Sequence, residues 1–389
     1  MPTAKSATRS SATVPRLTKG PVTLLLGTQK GAWTLKSDAT RSKWTLSEPM
    51  HFGNIVNHVV ADPRDGGKSL VMAIKTGHLG PTVMRSSDGG KTWTEAAQPP
   101  KFPEKPKGKG ESVETVFWIQ PGHASEPKVW YAGICPAGLF RSEDGGNTWA
   151  GIEGWNANKN RKKWLAFGGA PGGQMLHSIL IDPRDKNHIV IGISIGGTFE
   201  TRDQGKTWKP LNKGVVADFI PTPDPEFGHD PHCMVRAETN PDRLYMQNHC
   251  GLYRLDRPSK DDRWERIGDN MPREIGDVGF PVAAHPRNAD KVWVVPMDGT
   301  QIWPRTSVDG KPAVYVSTNA GAAWKRLDKG FPKKAWWTVF RQALATDAHE
   351  TVGLYFGTTS GEMWSSVDEG KSWQRIAEGL PRILSVEVR

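Results

Sequence analysis

Two short segments hold the densest set of metal-ligating side chains in the chain. They are Gly228, His229, Asp230, Pro231, His232 and Cys233, and then Gln247, Asn248, His249 and Cys250. Imidazole nitrogens joined by a carboxylate form a donor set that suits zinc or manganese. A cation so held lowers the pKa of a bound water or polarises a substrate oxygen. His177 supplies a further imidazole. The candidate metal ligands are therefore His177, His232 and His249, with Glu114 or Asp230 as the carboxylate. The same neighbourhood also supports acid–base chemistry without metal. His58 or His177 would act as base, Glu114 as acid or base, and Arg341 as a clamp for a carboxylate or phosphate. Asn57, His78, Asn248 and Gln342 are candidate ligand-binding residues. The competing assignments are structural: hydrogen-bonded histidines, Glu114 paired with Arg341, and Cys233 and Cys250 as packing residues.

These residues are scattered over the sequence, so only the fold can bring them together. Five near-copies of one pattern supply that fold. They are Ser86, Asp88, Gly90, Thr92, Trp93; Ser142, Asp144, Gly146, Thr148, Trp149; Thr201, Asp203, Gly205, Thr207, Trp208; Ser317, Asn319, Gly321, Ala323, Trp324; and Ser366, Asp368, Gly370, Ser372, Trp373. Each reads as a tight turn between two strands. The Asp accepts backbone N–H groups, the Gly takes a conformation closed to other residues, and the Trp packs over the hairpin. Degenerate copies lead from Asp38 to Trp44 and from Asp256 to Trp264. The seven closing tryptophans are spaced 49, 56, 59, 56, 60 and 49 residues apart. That period predicts one four-stranded propeller blade per repeat, hence an all-β, seven-bladed β-propeller.

Within each unit a second apolar strand is expected, at 70–74, 129–134, 189–194, 243–247, 292–295 and 353–357. The chain starts on what reads as a second strand and ends, at 382–388, on what reads as a first. The C-terminal strand is therefore expected to complete the N-terminal blade and remove an exposed sheet edge. The domain reading is a disordered basic tail over 1–20 and a single propeller over 21–389. In that geometry the starts of the first strands and the turns after the second strands converge on one face around the central funnel. The candidate site residues occupy those places.

The repeat resembles the Asp-box, or BNR, repeat of the sialidase superfamily, and the chain is similar to uncharacterised bacterial glycosyl-hydrolase-like BNR-repeat proteins. The resemblance implies the propeller fold. It implies a sialidase site only if three arginines, a Tyr–Glu pair and an acidic Asp are present. Among first-strand starts only Arg341 qualifies, and none of the five tyrosines begins an innermost strand.

Formal net charge is +10, of which Lys5, Arg9, Arg16 and Lys19 contribute four. Two further basic inserts, 101–109 and 159–164, fall on the funnel face and would attract an anionic small molecule or glycan, or a protein partner. No nucleic-acid module accompanies this charge, so nucleic-acid binding is not expected. No apolar run is long enough to cross a bilayer, and residues 1–20 lack the apolar core of a secretory signal. Three cysteines are too few for a disulfide scaffold, which points to a reducing cytoplasm. The functional expectation is binding of an anionic small molecule or oligosaccharide in a histidine-rich funnel, with metal- or His/Glu-assisted hydrolase or lyase chemistry. The alternatives are a non-catalytic scaffold or assembly factor, and a sialidase-like exo-glycosidase.

Overall fold

Seven four-stranded antiparallel sheets, each with its first strand innermost, are arranged around one axis in the computed structural model, which describes residues 17–104, 110–166, 173–222, 225–258, 260–299 and 305–389. The innermost strands of blades 2 to 7 are Ile55–Ala61, Thr115–Pro121, Leu176–Asp182, Pro231–Ala237, Gly279–His285 and Leu344–Thr346. Blade 1 takes its innermost strand from the C-terminus. Ile383–Val388 pairs antiparallel with Thr23–Thr28, with Leu26 opposite Val386. The ring is closed by hydrogen bonds as the two chain ends suggest. Most of the expected tail, residues 1–16, lies outside the described residues. Thr18 is bonded through its N–H to the Ala348 carbonyl of blade 7 at 3.1 Å.

The core lies between blades. One cluster joins Val71, Ala73 and Val83 of blade 2 to Val116, Ile134 and Phe140 of blade 3, and comparable clusters fill the other interfaces. The repeated turns hold the outer ends of the hairpins. In blade 2, Asp88 Oδ1 accepts from the N–H groups of Lys91 and Thr92, both at 3.0 Å. Ser86 Oγ accepts from Gly90 N, and Trp93 Nε1 donates to the Gly90 carbonyl. The same bonds recur around Asp144 and Asp203. The turns after the first strands add clasps between blades. Arg64, held by Asp62, donates to the Glu126 carbonyl of blade 3, and Arg184, held by Asp182, reaches Asp242 of blade 5.

The inner strands carry the feature that shapes the funnel. Five of them lose register with their second strand near the start. The residues passed over are Asn57, Phe117, Ser178 with Ile179, His232, and Phe280 with Pro281. A bulge of this kind re-aims the side chains beside it. Repeated around a ring, it places one unpaired stretch per blade at the channel. Gln342 of blade 7 then crosses the axis, its Nε2 donating to the Phe117 carbonyl of blade 3 at 3.0 Å.

Because Ile383–Val388 is both the inner strand of blade 1 and a wall of its neighbours, a chain ending before residue 383 should lose the single cooperative unfolding transition of the full chain. Urea denaturation followed by tryptophan fluorescence measures this. An unchanged midpoint for the shortened chain would contradict the closure.

Candidate functional site

The approach of His232 and His249 follows from strand pairing. His232 is the bulged residue of the first strand of blade 5, and His249 begins the turn after the second strand, whose last residue, Asn248, pairs with Pro231. The His249 N–H donates to the Asp230 carbonyl at 2.9 Å, which folds this turn onto the start of the first strand. The two imidazole rings lie 5.7 Å apart at 86°. Asp230 Oδ2 sits 3.4 Å from His232 Nε2 and 3.6 Å from His249 Nδ1. Its other oxygen, Oδ1, accepts from the Ile195 N–H at 3.2 Å.

Hydrogen-bond partners fix the protonation of this trio. His232 Nδ1 faces the Gly279 carbonyl at 2.6 Å, and a carbonyl only accepts, so Nδ1 carries the proton. Burial pulls the His232 pKa below its ordinary value, which keeps the ring neutral. Nε2 is then a lone pair, fully buried, with no hydrogen bond, directed at a carboxylate oxygen. Arg305 Nη2 donates to His249 Nδ1 at 3.4 Å, so that nitrogen carries its lone pair toward the guanidinium, a long contact that a metal ion would have to displace. Burial, followed by His232, lowers the His249 pKa to about 4. Burial alone would raise the Asp230 carboxyl, but it is held well below the usual carboxylate range, first by His232, an effect that requires a proton between Nε2 and the carboxylate, and then by the Arg341 guanidinium. Two imidazole lone pairs and one carboxylate therefore converge, their ligand atoms all within 4.8 Å of one another. Zinc–nitrogen bonds of about 2.0–2.1 Å in a tetrahedron require donors roughly 3.3–3.4 Å apart; Asp230 Oδ2 meets this with both imidazoles, at 3.4 and 3.6 Å. Asp230, His232 and His249 can coordinate a metal ion.

The other sequence candidates have different surroundings. Both nitrogens of His177 are engaged: Nε2 donates to the Pro231 carbonyl at 2.9 Å, and Nδ1 accepts from Ser178 Oγ at 2.8 Å. His177 thus ties blade 4 to blade 5 and has no lone pair left for a metal. His58 is similarly used, with Nδ1 accepting from Ile119 N at 3.0 Å and Nε2 2.9 Å from Glu387. Glu114 is exposed and meets Cys135 Sγ at 3.7 Å rather than Arg341. Asn57 and Gln342 donate to the Val116 and Phe117 carbonyls, and His78 is exposed on a hairpin turn. Asn248 is fully buried beside the trio. Its Oδ1 accepts from Cys250 N, and its Nδ2 has no hydrogen-bond partner. Burial raises the thiols, Cys135 to about 12 and Cys233 to about 11, so neither is a thiolate at neutral pH.

Arg341 does belong with the trio. Its guanidinium lies 4.9 Å over the Phe280 ring, and His232 packs on the same ring at 4.7 Å. Sequence reasoning placed Phe280 at a first-strand start without a role, and missed Arg305 and Phe219. Phe219 is half-exposed and contacts His249 edge-on at 5.5 Å. The only signal for Arg305 was the unusual length of the stretch after Asp298. Of the two basic inserts, residues 105–109 lie outside the described residues. Arg161 of the second is buried, forking onto both carboxylate oxygens of Glu111 at 2.9 Å, and so is lost to a docking surface.

No family model matches the chain. A xyloglucanase of Acetivibrio thermocellus, Xgh74A, is 24% identical over 314 residues, covering 72% of this chain and 33% of that protein. An oligoxyloglucan-reducing end-specific xyloglucanase of Emericella nidulans is 23% identical over 231 residues, covering 52% and 26% respectively. The crystal structure of the GH74 xyloglucanase from Xanthomonas campestris superposes with a TM-score of 0.65 at 18% identity, over 93% of this chain and 53% of that one. The chain spans about a third or less of the length of these curated relatives. These relatives overturn the resemblance to the sialidase superfamily and to its BNR-repeat proteins. The physical reason is that the repeated Ser/Thr–Asp–Gly–Trp pattern makes its hydrogen bonds within its own hairpin. It solves a local turn problem and does not identify a lineage. No helix among the described residues is long and apolar enough to cross a membrane.

The wiring of His177 has a consequence for stability. Burial, with Arg341 nearby, lowers its pKa from 6.5 to about 3. Below pH 6.5 the unfolded chain binds a proton that the folded ring refuses, so stability falls as pH falls. From pH 7 to pH 5 this residue accounts for about 2 kcal/mol of the loss. Urea unfolding at both pH values should show a smaller loss in His177→Gln than in the wild type. Equal losses would contradict the assignment.

Proposed function

We propose that this propeller is a glycan-acting hydrolase whose chemistry is centred on a metal held by Asp230, His232 and His249 at the start of the inner strand of blade 5. The observation that carries this is the His232 Nε2 lone pair, buried against an ionised carboxylate. Two acceptors facing each other are unfavourable unless a proton or a cation lies between them, and burial keeps the ring neutral. The likeness to xyloglucanases supports an oligosaccharide as the ligand.

Asp230, His232 and His249 would supply three ligands to such an ion, the number usual in catalytic rather than structural sites. Zinc or manganese bound there would supply Lewis acidity toward a substrate oxygen. The remaining tasks fall to the chain. The Ile195 N–H donates to the Asp230 carboxylate and the His249 N–H donates to the Asp230 carbonyl, so both side chains are held near each other before any ligand arrives. The Gly279 carbonyl fixes the tautomer of His232, the usual role of a group behind a metal-binding imidazole. Phe219 offers an exposed apolar ring beside His249, on which a sugar face can pack.

The test combines metal content and turnover. Full-length protein equilibrated with zinc or manganese and then desalted should retain about one ion per chain by elemental analysis. His232→Ala and Asp230→Asn should fall to background while keeping the wild-type circular dichroism spectrum. Release of reducing ends from a panel of plant-wall oligosaccharides should require the metal and disappear in both variants. Turnover that persists in stripped protein and in His232→Ala would refute the reading, as would failure to retain metal.

A further inference from the structure

Blades 4 and 5 meet at a cavity of about 180 Å3 beside the turns after their first strands, at the end opposite the funnel. Arg184, Arg202, Arg236 and Arg257 line it, together with Asp182, Asp242 and Asp262. Arg184 serves the clasp between the blades, as Arg64 does between blades 2 and 3. Arg236 has no such counterpart. It pairs with Leu244 on a rung where blades 2, 3, 4, 6 and 7 carry Ala61, Pro121, Ile181, Ala284 and Thr346. A buried guanidinium thus stands where the other blades hold uncharged residues, and its neighbours do not satisfy it. Nη1 donates to the Pro241 carbonyl. Asp182, its ion-pair partner, is 3.7 Å away and already saturated. That carboxylate accepts from Arg184 N, Nε and Nη2 and meets His188 Nδ1 at 3.0 Å, which uses the roughly four acceptor sites it has. Arg236 Nε and Nη2 are left buried without a hydrogen bond, and so is Arg257 Nε. Burial, opposed by Asp182, pulls the Arg236 pKa down to about 10, so at neutral pH the guanidinium stays charged with donors unanswered.

We infer that this cavity binds a phosphate group, free or carried on a small molecule, with Arg236 and Arg257 at its floor. The guanidiniums run from solvent to the interior: the side chain of Arg202 is 56% exposed, those of Arg236 and Arg257 only 9% and 8%. The lining carboxylates are taken up by the other arginines, Asp182 and Asp242 by Arg184 and Asp262 by Arg257. Glu200, behind the lining, is shared by His188, Arg202, Lys209 and Arg257. Among the described residues, Arg236 is the one guanidinium of the four with no hydrogen bond to a carboxylate. An oxyanion supplies the acceptors that it lacks, and the planar fork matches phosphate. A tetrahedral group presents acceptors in several directions, which suits N–H groups arriving from a first strand and from the turn after a third strand. The cavity is smaller than the roughly 300–1,000 Å3 of pockets for drug-sized ligands, so the phosphate carries at most a short substituent. The site lies at the other end of the ring from Asp230, His232 and His249 and does not depend on a metal there.

The experiment is calorimetric titration of inorganic phosphate, glycerol 3-phosphate or acetate into the full chain at constant ionic strength. Phosphate or its glycerol ester should bind saturably, and acetate at least about tenfold more weakly. Arg236→Leu, which puts an aliphatic side chain on this rung as Ile181 does in blade 4, should keep the wild-type circular dichroism spectrum. It should lose at least about tenfold in phosphate affinity, the usual effect of removing one charge-assisted hydrogen bond. Should Arg236→Leu fail to fold, Arg236→Lys, which keeps a charge and loses the fork, must show the same loss. Tighter binding of inorganic phosphate identifies the free ion as the occupant, and tighter binding of glycerol 3-phosphate identifies a phosphate ester; either sustains the inference. No saturable binding of either phosphate, acetate bound as tightly as phosphate, or full phosphate affinity in the Arg236 variant overturns it.

Discussion

His232 Nδ1 donates to the Gly279 carbonyl at 2.6 Å, across the boundary between blades 5 and 6. This bond commits the proton to the far side of the ring and leaves Nε2 as a lone pair turned toward Asp230. It depends on two features of the backbone. The bulge at residue 232 takes the residue off the ladder, leaving its imidazole buried between the Gly279 carbonyl and Asp230. The close approach at residue 279 requires glycine, because a Cβ there would stand 2.8 Å from the Val295 carbonyl. The metal site is thus a product of how neighbouring inner strands lie against each other.

Propeller architecture separates the parts that hold the ring from the parts free to vary. The repeated turns act on the outer strands, the interblade clusters fill the middle, and the Asp–Pro–Arg turns clasp one blade to the next. At the funnel mouth the histidines divide by their neighbours. His58 and His177 are spent on backbone and side-chain partners and act as staples between inner strands. His232 retains a nitrogen lone pair with no hydrogen bond, and His249 Nδ1 is engaged only by a long contact from Arg305 at 3.4 Å. Function follows from which hydrogen bonds the ring nitrogens have already made, and not from residue type.

That distinction explains what could be read in the sequence. The turns ending in Trp93, Trp149, Trp208 and Trp373 repeat a local geometry with its own side-chain logic, so seven blades and their closure were legible. The meeting of His232 and His249 was legible too, because first and second strands of one blade pair antiparallel. The fates of His58 and His177 were not, since a bulge of one or two residues decides where a side chain points and leaves no mark in the residue pattern. Arg305 sits in a long non-repeating stretch after Asp298, where no period assigns it to the funnel. The family reading failed for the opposite reason: the turn is so well determined by its own hydrogen bonds that it carries little information about descent.

The central claim is that a cation occupies the gap between His232 Nε2, His249 Nδ1 and Asp230 Oδ2. Crystals grown with zinc and measured at its absorption edge test this most directly. The account predicts one anomalous peak per chain at about 2.0–2.2 Å from each of those three atoms. Edge data with no peak there, and with His232 Nε2 in a short hydrogen bond to Asp230, would mean that a proton fills the gap and the account is wrong.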